Sequence, residues 1–190
     1  MSESIVEVAE VFPYADKGLA CLVIQSHNGT RSSEINLCDD FSESDPETVF
    51  AQKGWIYSML QKTDEIYIAM SGKELRWGTH ADPHNVLKVE ADVTKLCDSA
   101  TGVWIIGLDG YIAHFDGKHL VETPLTEAGT VYFVSEATDG TVFACGDSGG
   151  LFRLDQQVWT RLELPVTQDI YRILASSASR VLLAGEDGLC

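Results

Sequence analysis

Short runs of apolar and β-branched residues recur along the chain from about residue 54 onwards, and turn-forming residues separate them. Within these runs the apolar residues do not follow the three- and four-residue spacing of an amphipathic helix. Each run has the length of a strand and is bounded by glycine, aspartate or serine, which are typical turn residues. The pattern therefore predicts an all-β fold over this part of the chain.

One of the turns repeats at a fixed spacing. It has the form Gly-x-x-Gly at 107–110, 146–149 and 185–188, so successive copies are 39 residues apart. A related turn, Ala69-Met-Ser-Gly72, lies 38 residues before the first copy and has alanine in place of the first glycine. Two apolar runs precede each turn, and two more follow it in every repeat except the last. The sequence therefore predicts four short strands in each repeat.

Dipeptides within these repeats predict tight hairpins. Asp109-Gly110, Asp116-Gly117 and Asp139-Gly140 are typical of two-residue type I′ turns, in which both central residues have a positive φ. Four hairpin-connected strands in a repeat of roughly 40–45 residues are the sequence signature of a β-propeller blade. A two-sheet sandwich is the alternative, and it predicts no fixed period. The constant spacing favours the propeller.

One repeat also carries a family resemblance. The segment Gly102-Val-Trp-Ile-Ile-Gly-Leu-Asp-Gly-Tyr-Ile-Ala-His-Phe-Asp-Gly117 resembles the blade core of propellers with WD40/YVTN/BNR-like repeats, and is most similar to the two-component-regulator type. Thr141–Asp155 follows the same pattern, and the resemblance covers Gly54–Cys190. The Gly-His and Trp-Asp dipeptides of true WD40 blades and the sialidase Asp-box are absent. The resemblance therefore implies a propeller of four-stranded antiparallel blades and no particular activity.

The number of blades and the way the ring closes are predicted from length. A chain of 190 residues corresponds to about five such repeats, but the last repeat reaches Cys190 directly after its second-strand turn. The segment Ile5–Val11 alternates apolar and acidic residues, so we expect it to supply a closing strand. Two other arrangements stay open: two chains pair their open edges, or the chain is a fragment of a larger propeller.

The predicted domain organisation follows from this closure. Residues 1–53 would hold the closing strand, a divergent first blade and an acidic insertion, and residues 54–190 would hold four repeats, the last one incomplete. The insertion begins at Asp39 and Asp40, and Asp45-Pro46-Glu47 within it reads as the start of a short helix that ends near Gly54.

Charge narrows the classes of partner. The chain has 29 acidic and 13 basic residues and a formal net charge of −16. This balance argues against nucleic acid or an anionic membrane as a partner, because both are bound through Lys and Arg. A large negative charge instead attracts basic proteins.

The compartment is predicted from the start of the chain and from its cysteines. The first residues show neither the basic nor the apolar region of a secretory signal. Five cysteines are an odd number, several lie inside apolar runs, and no Cys-x-x-Cys pair occurs. Free, buried thiols in the cytoplasm are therefore expected, and no disulfide framework is predicted.

The Gly-x-x-Gly turns also predict a site. In a propeller, the turns between second and third strands all emerge on one face, so their acids would lie on one rim. Together with Asp39 and Asp40 of the insertion, Asp109, Asp147, Glu186 and Asp187 are the predicted partner-binding residues. The structural alternative is that aspartate occurs there because its side chain hydrogen-bonds its own turn.

Three tyrosines occupy equivalent positions in the first run of their repeats: Tyr57, Tyr132 and Tyr171. First strands line the central channel of a propeller, so these tyrosines would form a collar for a small ligand if they point inwards. Packing between blades is the alternative.

Enzyme chemistry has little support in the sequence. His80-Ala-Asp82-Pro-His84 contains possible zinc ligands, but Pro83 opposes the helix that the spacing requires, so neither a metal site nor a cofactor is predicted. No G-x-S-x-G elbow or glycine-rich phosphate loop is present, and no catalytic residue is predicted. Paired carboxylates on facing blades stay open as a route to glycoside cleavage.

These observations predict a non-enzymatic propeller whose acidic face binds a basic protein. One version is an immunity or inhibitor protein that neutralises a toxin through electrostatic complementarity. The alternative is a propeller enzyme of the lyase or glycosidase kind, or a small-ligand sensor that uses the central channel.

Overall fold

A computed structural model describes residues 4–13, 19–27, 30–38, 47–63, 65–79, 82–127, 129–186 and 188–189. These residues form nineteen β-strands and no helix. In the described part of the chain, therefore, no helix is long and apolar enough to cross a membrane. The chain divides into two compact units, Met1–Val89 and Glu90–Cys190.

The first unit contains two antiparallel sheets, each with its strands in sequence order. The first sheet consists of β1 (Ser4–Pro13), β2 (Leu19–His27), β3 (Thr30–Cys38) and β4 (Glu47–Lys53). The second consists of β5 (Ile56–Lys62), β6 (Glu65–Met70), β7 (Glu74–Thr79) and β8 (Asp82–Lys88).

The second unit contains three antiparallel sheets in the same sequential order. The third sheet of the chain consists of β9 (Val93–Ser99), β10 (Gly102–Gly107), β11 (Ile112–Phe115) and β12 (Leu120–Glu122). The fourth consists of β13 (Val131–Glu136), β14 (Val142–Gly146), β15 (Leu151–Asp155) and β16 (Val158–Arg161). The last consists of β17 (Ile170–Ser177), β18 (Arg180–Gly185) and β19 (Gly188–Leu189). The predicted repeat of four short antiparallel strands is confirmed.

The first sheet differs from its prediction in two ways. Glu47–Lys53 is strand β4 and not a helix, because Phe50 pairs with the fully buried Ile35 of β3 and packs on the core of the unit. Tertiary burial here outweighs a local helix-start signal. The N-terminal strand, predicted as a closing strand, is the edge strand of the first sheet, where β1 pairs with β2 from Ser4 to Pro13.

The last repeat is also slightly longer than predicted. Its third strand is present as the two-residue strand β19, which pairs with Ala184 and Gly185 of β18. Within the described residues, this last sheet has three strands and the other sheets have four.

The hairpin turns agree with the prediction at one of three positions. Asp109 and Gly110 both have positive φ, at 56° and 72°, as a type I′ turn requires. At Asp116-Gly117 and Asp139-Gly140 only the glycine has a positive φ, so the type I′ prediction is wrong there. The aspartates instead accept backbone hydrogen bonds within their own turns, Asp116 from Lys118 and His119 and Asp139 from Thr141.

The two glycines of the repeated turn have different roles, as the 146–149 copy shows. Gly149 has a φ of 67° and follows Ser148 at 50°, so it belongs to a second type I′ turn. Gly146 ends β14 against the backbone of the preceding linker, and a Cβ there would overlap the carbonyl oxygen of Thr130. The first glycine therefore allows a close approach, and the second allows the turn.

Turn geometry also corrects the alignment of the earliest repeat. Gly72 and Lys73 are the positive-φ pair after β6, with φ of 82° and 61°, so they correspond to Asp109 and Gly110. The strands that precede these turns end at Met70 and Gly107, which are 37 residues apart and not 38. Gly72 is therefore equivalent to Asp109 and not to Gly110.

Each unit has its own apolar core. In the first unit, one cluster of buried side chains comes from β3, β5 and β6: Ile35, Ile56, Met59, Ile66, Ile68 and Met70. In the second unit, the fourth sheet contributes to two clusters, one shared with β9–β11 and one shared with β17–β18. Every residue of β14 is buried, so the fourth sheet is covered on both faces.

Candidate functional site

A repeated backbone hydrogen bond positions the predicted rim. In the second unit, the backbone N–H of the first residue of each turn donates a hydrogen bond to a backbone carbonyl oxygen. The acceptor belongs to the residue just before the first strand of the same sheet: Leu108 donates to Asp92 at 3.0 Å, Asp147 to Thr130 at 3.1 Å and Glu186 to Asp169 at 3.0 Å. The equivalent bond in the first unit joins Ser71 to Trp55 at 2.9 Å. We call the turn residues 108–110, 147–149 and 186, together with Asp92, Thr130 and Asp169, the acidic rim.

The predicted partner-binding residues divide into three groups in the structure. Asp109 and Glu186 are exposed on the acidic rim, and within the described residues neither carboxylate has a hydrogen-bond or ion-pair partner. Asp147 is half-buried. Asp187, Asp39 and Asp40 lie outside the described residues.

Asp147 has a structural contact that its neighbours lack. Its Oδ2 accepts a hydrogen bond from the backbone N–H of Thr130 at 3.0 Å, which fixes the entry into β13. Gly129 leaves room for this carboxylate, because a Cβ there would overlap Asp147 Oδ2. Asp147 therefore has a structural role, as the alternative explanation of the turn aspartates predicted. Its hydrogen bond goes to the linker before β13, however, and not to its own turn.

Asp169 is a rim residue that the sequence prediction missed. Its Oδ1 accepts a hydrogen bond from the backbone N–H of Ser148 at 2.9 Å, and its Oδ2 accepts one from the Tyr132 hydroxyl at 3.1 Å. The carboxylate therefore connects the fourth sheet to the last. A signal was present in the sequence, since Asp92 and Asp169 each stand directly before a first-strand run.

Two of the three predicted collar tyrosines contact each other. The Tyr132 and Tyr171 rings meet edge to face, with their centroids 5.3 Å apart. Burial raises the pKa of the Tyr132 hydroxyl, and the adjacent Asp169 carboxylate adds to the increase. Tyr171 is 41% exposed. Tyr57 belongs to the first unit, where it is also exposed.

Two surface cavities border the acidic rim. One, of about 400 Å³, is lined by Lys95, Leu108, Asp109, Thr130 and Tyr132 among others. The other, of about 130 Å³, is lined by residues that include Asp169 and Glu186. The exposed carboxylates of the rim therefore lie beside concave surface, and the exposed Tyr171 ring follows Asp169 by two residues.

The histidines of the predicted loop have local contacts in the structure. His84 Nδ1 lies 3.1 Å from the carbonyl oxygen of Asp82 and 3.4 Å from its carboxylate, and both side chains are exposed. His80 lies outside the described residues. Among the residues that are described, no three His, Cys, Asp or Glu side chains are grouped closely enough to hold a metal ion.

One cluster contains the residue types of a serine hydrolase. Ser99 Oγ lies 2.9 Å from His114 Nε2 and donates a hydrogen bond to Glu136 Oε2 at 2.6 Å. In a catalytic triad the acid orients the histidine, whereas here the acid binds the serine directly. Ser99 is 2% exposed, so its hydroxyl has almost no contact with solvent. The cluster connects the third and fourth sheets and has a structural role.

Comparisons with known proteins identify the fold. No protein-family profile matches the sequence, and no curated protein is detectably similar to it. The WD40 β-propeller domain of Doa1 aligns with a TM-score of 0.55 and 12% identity over 98% of this chain and 96% of that one. YCF48 bound to D1 peptide aligns at 0.60 and 15% over 97% and 76%.

A third structure, BBS1N in complex with ARL6DN, aligns with a TM-score of 0.63 and 12% identity over 98% of this chain and 60% of that one. At these identities the likeness shows the fold alone. Together with the antiparallel sheets and their repeated turns, it shows that the chain is a β-propeller with WD40-like repeats, built from four-stranded antiparallel blades.

Proposed function

We propose that this propeller is a non-enzymatic protein-binding module whose acidic rim binds a basic protein partner. The observation that carries the proposal is the arrangement of the rim: Asp109 and Glu186 present exposed carboxylates without partners, and Tyr171 presents an exposed ring. Carboxylates beside an aromatic face suit lysine and arginine side chains, which bind through charge and through cation–π contact.

The fixed geometry of the rim supports the proposal. Backbone hydrogen bonds tie each turn to the linker before the neighbouring first strand, and Asp169 bonds both Ser148 and Tyr132. Groups held in this way lose little conformational entropy when a partner binds. Two proteins of similar fold have been seen with partners, since YCF48 is bound to D1 peptide and BBS1N is in complex with ARL6DN.

The total charge supports a basic partner. A chain with a net charge of −16 attracts positively charged proteins over several ångströms and raises their rate of association. In the specific form that we propose, the chain is an immunity or inhibitor protein that covers the basic substrate groove of a toxin. The proposal also includes Asp39, Asp40 and Asp187 as partner-binding residues.

We propose the cytoplasm as the compartment of this interaction. Cys97 and Cys145 are free and buried, which suits a reducing environment. Burial raises the pKa of the Cys97 thiol to about 11 and that of the Cys145 thiol to about 12, so both are unreactive in the folded chain.

A small-ligand sensor is the second candidate function. The cavity of about 400 Å³ beside Tyr132 falls in the size range of small-molecule sites, which begins near 300 Å³. It contains a cation and an anion, Lys95 and Asp109, so it suits a polar ligand with both charges.

A pull-down followed by calorimetry tests the protein-binding proposal. The tagged chain is used to recover proteins at about 50 mM and about 500 mM salt, and each recovered basic protein is purified and titrated. We expect binding at low salt that weakens strongly at high salt. Recovery of no basic protein at low salt would contradict the proposal.

The titration is repeated with two rim variants and a matched control. Asp109→Lys and Glu186→Lys, each made singly, should each weaken the complex by about tenfold or more, because each reverses one charge within the interface. The control, Asp155→Lys, reverses one exposed charge at the far end of β15, where Asp155 pairs with Arg153. Equal weakening by the rim variants and the control would reduce the effect to total charge and remove the rim from the proposal.

A further inference from the structure

Within the described residues of the second unit, the two faces of the last sheet differ in burial. Ile173 of β17 and Leu183 of β18 are buried and pack on the neighbouring fourth sheet. On the opposite face Leu174 is 66% exposed and Leu182 is 49% exposed. These two leucines are directly paired across β17 and β18, so their side chains lie next to each other.

The equivalent strands of the other two sheets in this unit have no such face. Every residue of β10 and every residue of β14 is buried, whereas β18 has exposed and half-buried positions along its length. Single exposed leucines are common, but Leu182 lies on a strand whose counterparts are fully buried, and its cross-strand neighbour Leu174 is exposed beside it. An adjacent exposed pair of this kind is a candidate interaction surface.

The charge of this face differs from that of the chain. Residues 170–185 contain Arg172 and Arg180 and no acidic residue, in a chain whose net charge is −16. Both arginines precede a leucine of the pair by two positions, which places them on the same face of the sheet. The Arg172 guanidinium lies 5.0 Å from the Phe133 ring centre and donates to the carbonyl oxygen of Tyr171. The exposed leucines are therefore flanked by fixed positive charge.

Negative charge borders the same surface. A cavity of about 490 Å³ adjoins the leucine pair, and its lining includes Asp98, Phe133 and Glu136 as well as Arg172. Asp98 is exposed, and Glu136 is half-buried. The surface thus combines an apolar centre with groups of both signs at its margin. A two-fold interface needs such self-complementarity, because each copy contributes the same patch.

We propose that this face is a self-association interface, covered by a second copy of this chain. The leucine pairs of the two copies pack against each other, and the arginines of each copy approach Asp98 and Glu136 of the other. This proposal is independent of the acidic rim, whose residues lie at the ends of the strands and not on this face.

The test measures mass in solution. Sedimentation equilibrium on the full chain should give a mass that rises with concentration to twice that of one chain. Leu174→Glu combined with Leu182→Glu should raise the dissociation constant by about 100-fold or more, because it places charges in the apolar centre. Val158→Glu is the matched control, since Val158 is 64% exposed on β16 and lies outside the face. It should leave the dissociation constant unchanged.

Two further measurements test the same interface, one with a charge-reversal variant and one without any substitution. Arg172→Glu should weaken association by about tenfold and remove part of its salt dependence. Amide exchange in β17 and β18 of the unsubstituted chain should slow as concentration rises, which needs no variant. A monomer at all concentrations would overturn the proposal, as would a dimer that the paired leucine substitutions leave intact.

Discussion

The fourth sheet (β13–β16) and the last sheet (β17–β19) come from successive copies of the same repeat, yet they are stabilised differently. The fourth sheet lies between two neighbours, and every residue of β14 is buried. The last sheet has one covered face, and β18 has exposed leucine on the other. In a repeat protein each unit is stabilised mainly by contacts with its neighbours, so position in the array decides stability more than the repeat sequence does.

The largest predicted effect is in the fourth sheet. Phe143 of β14 is 1% exposed and belongs to the core cluster that also contains Ile170, Ile173 and Leu183 of the last sheet. Phe143→Ala should lower the free energy of unfolding by about 3–5 kcal/mol, because it leaves a cavity between two sheets. Urea denaturation measures this loss, and the exposed-site control Val158→Ala should change it by less than about 0.5 kcal/mol. A loss below about 1 kcal/mol for Phe143→Ala would mean that the two sheets are not closely packed.

The next prediction compares the two faces of the last sheet at adjacent positions. Leu183 is 6% exposed and Leu182 is 49% exposed. Leu183→Ala should cost about 2–5 kcal/mol, whereas Leu182→Ala should cost less than about 1 kcal/mol. Both are measured by denaturation of dilute protein, so that self-association does not contribute. Similar losses at the two positions would show that both faces are covered in the single chain.

A glycine comparison tests how freely each sheet relaxes. A Cβ at Gly146 would overlap the carbonyl oxygen of Thr130, and a Cβ at Gly185 would overlap that of Asp169. Gly146→Ala should cost about 1–3 kcal/mol, as overpacking in a covered sheet does. Gly185→Ala should cost less, because β18 has an open face towards which it can shift. The comparison fails if Gly185→Ala is the more damaging substitution in thermal denaturation.

The smallest predicted effect concerns the hairpins that connect the two sheets. Asp139 accepts hydrogen bonds from the backbone N–H of Ala178 at 2.8 Å and of Thr141 at 3.0 Å. These bonds lower the pKa of the carboxyl group. Its stabilising contribution is therefore complete above the unfolded-state pKa of about 3.9 and is lost as pH falls through the lower folded-state value.

Asp139→Asn removes this titration. The variant should show a flatter decline of stability than the unsubstituted chain between about pH 5 and pH 2, measured by urea denaturation at each pH. Parallel declines in the two proteins would show that the Asp139 carboxylate does not connect the hairpins.

Sequence predicts the second unit better than the first. In residues 90–190 the Gly-x-x-Gly turns fix the strands, because their spacing is constant and their geometry is local. In the first unit the Asp45-Pro46-Glu47 signal predicted a helix where Phe50 instead pairs with Ile35 in a sheet. The gain from burying that side chain depends on residues distant in sequence, which local propensity does not register.

The acidic rim is predictable in outline and not in detail. Asp109 lies in its predicted type I′ turn and is exposed. The division of the acids between exposed and structural positions depends partly on contacts between sheets, such as those of Asp169 with Tyr132 and Ser148. A single repeat contains no information about its partner in the next blade, so these pairings become visible only in the structure.

Hydrogen–deuterium exchange on dilute protein tests the central claim most directly, because it measures in one experiment how each blade is covered. We predict that the amides of β14 exchange slowest and that those of β18 and β19 exchange faster, although all three strands are hydrogen-bonded within their sheets. Equal protection of β14 and β18 in dilute solution would contradict this prediction, since the last blade would then be covered on both faces within a single chain.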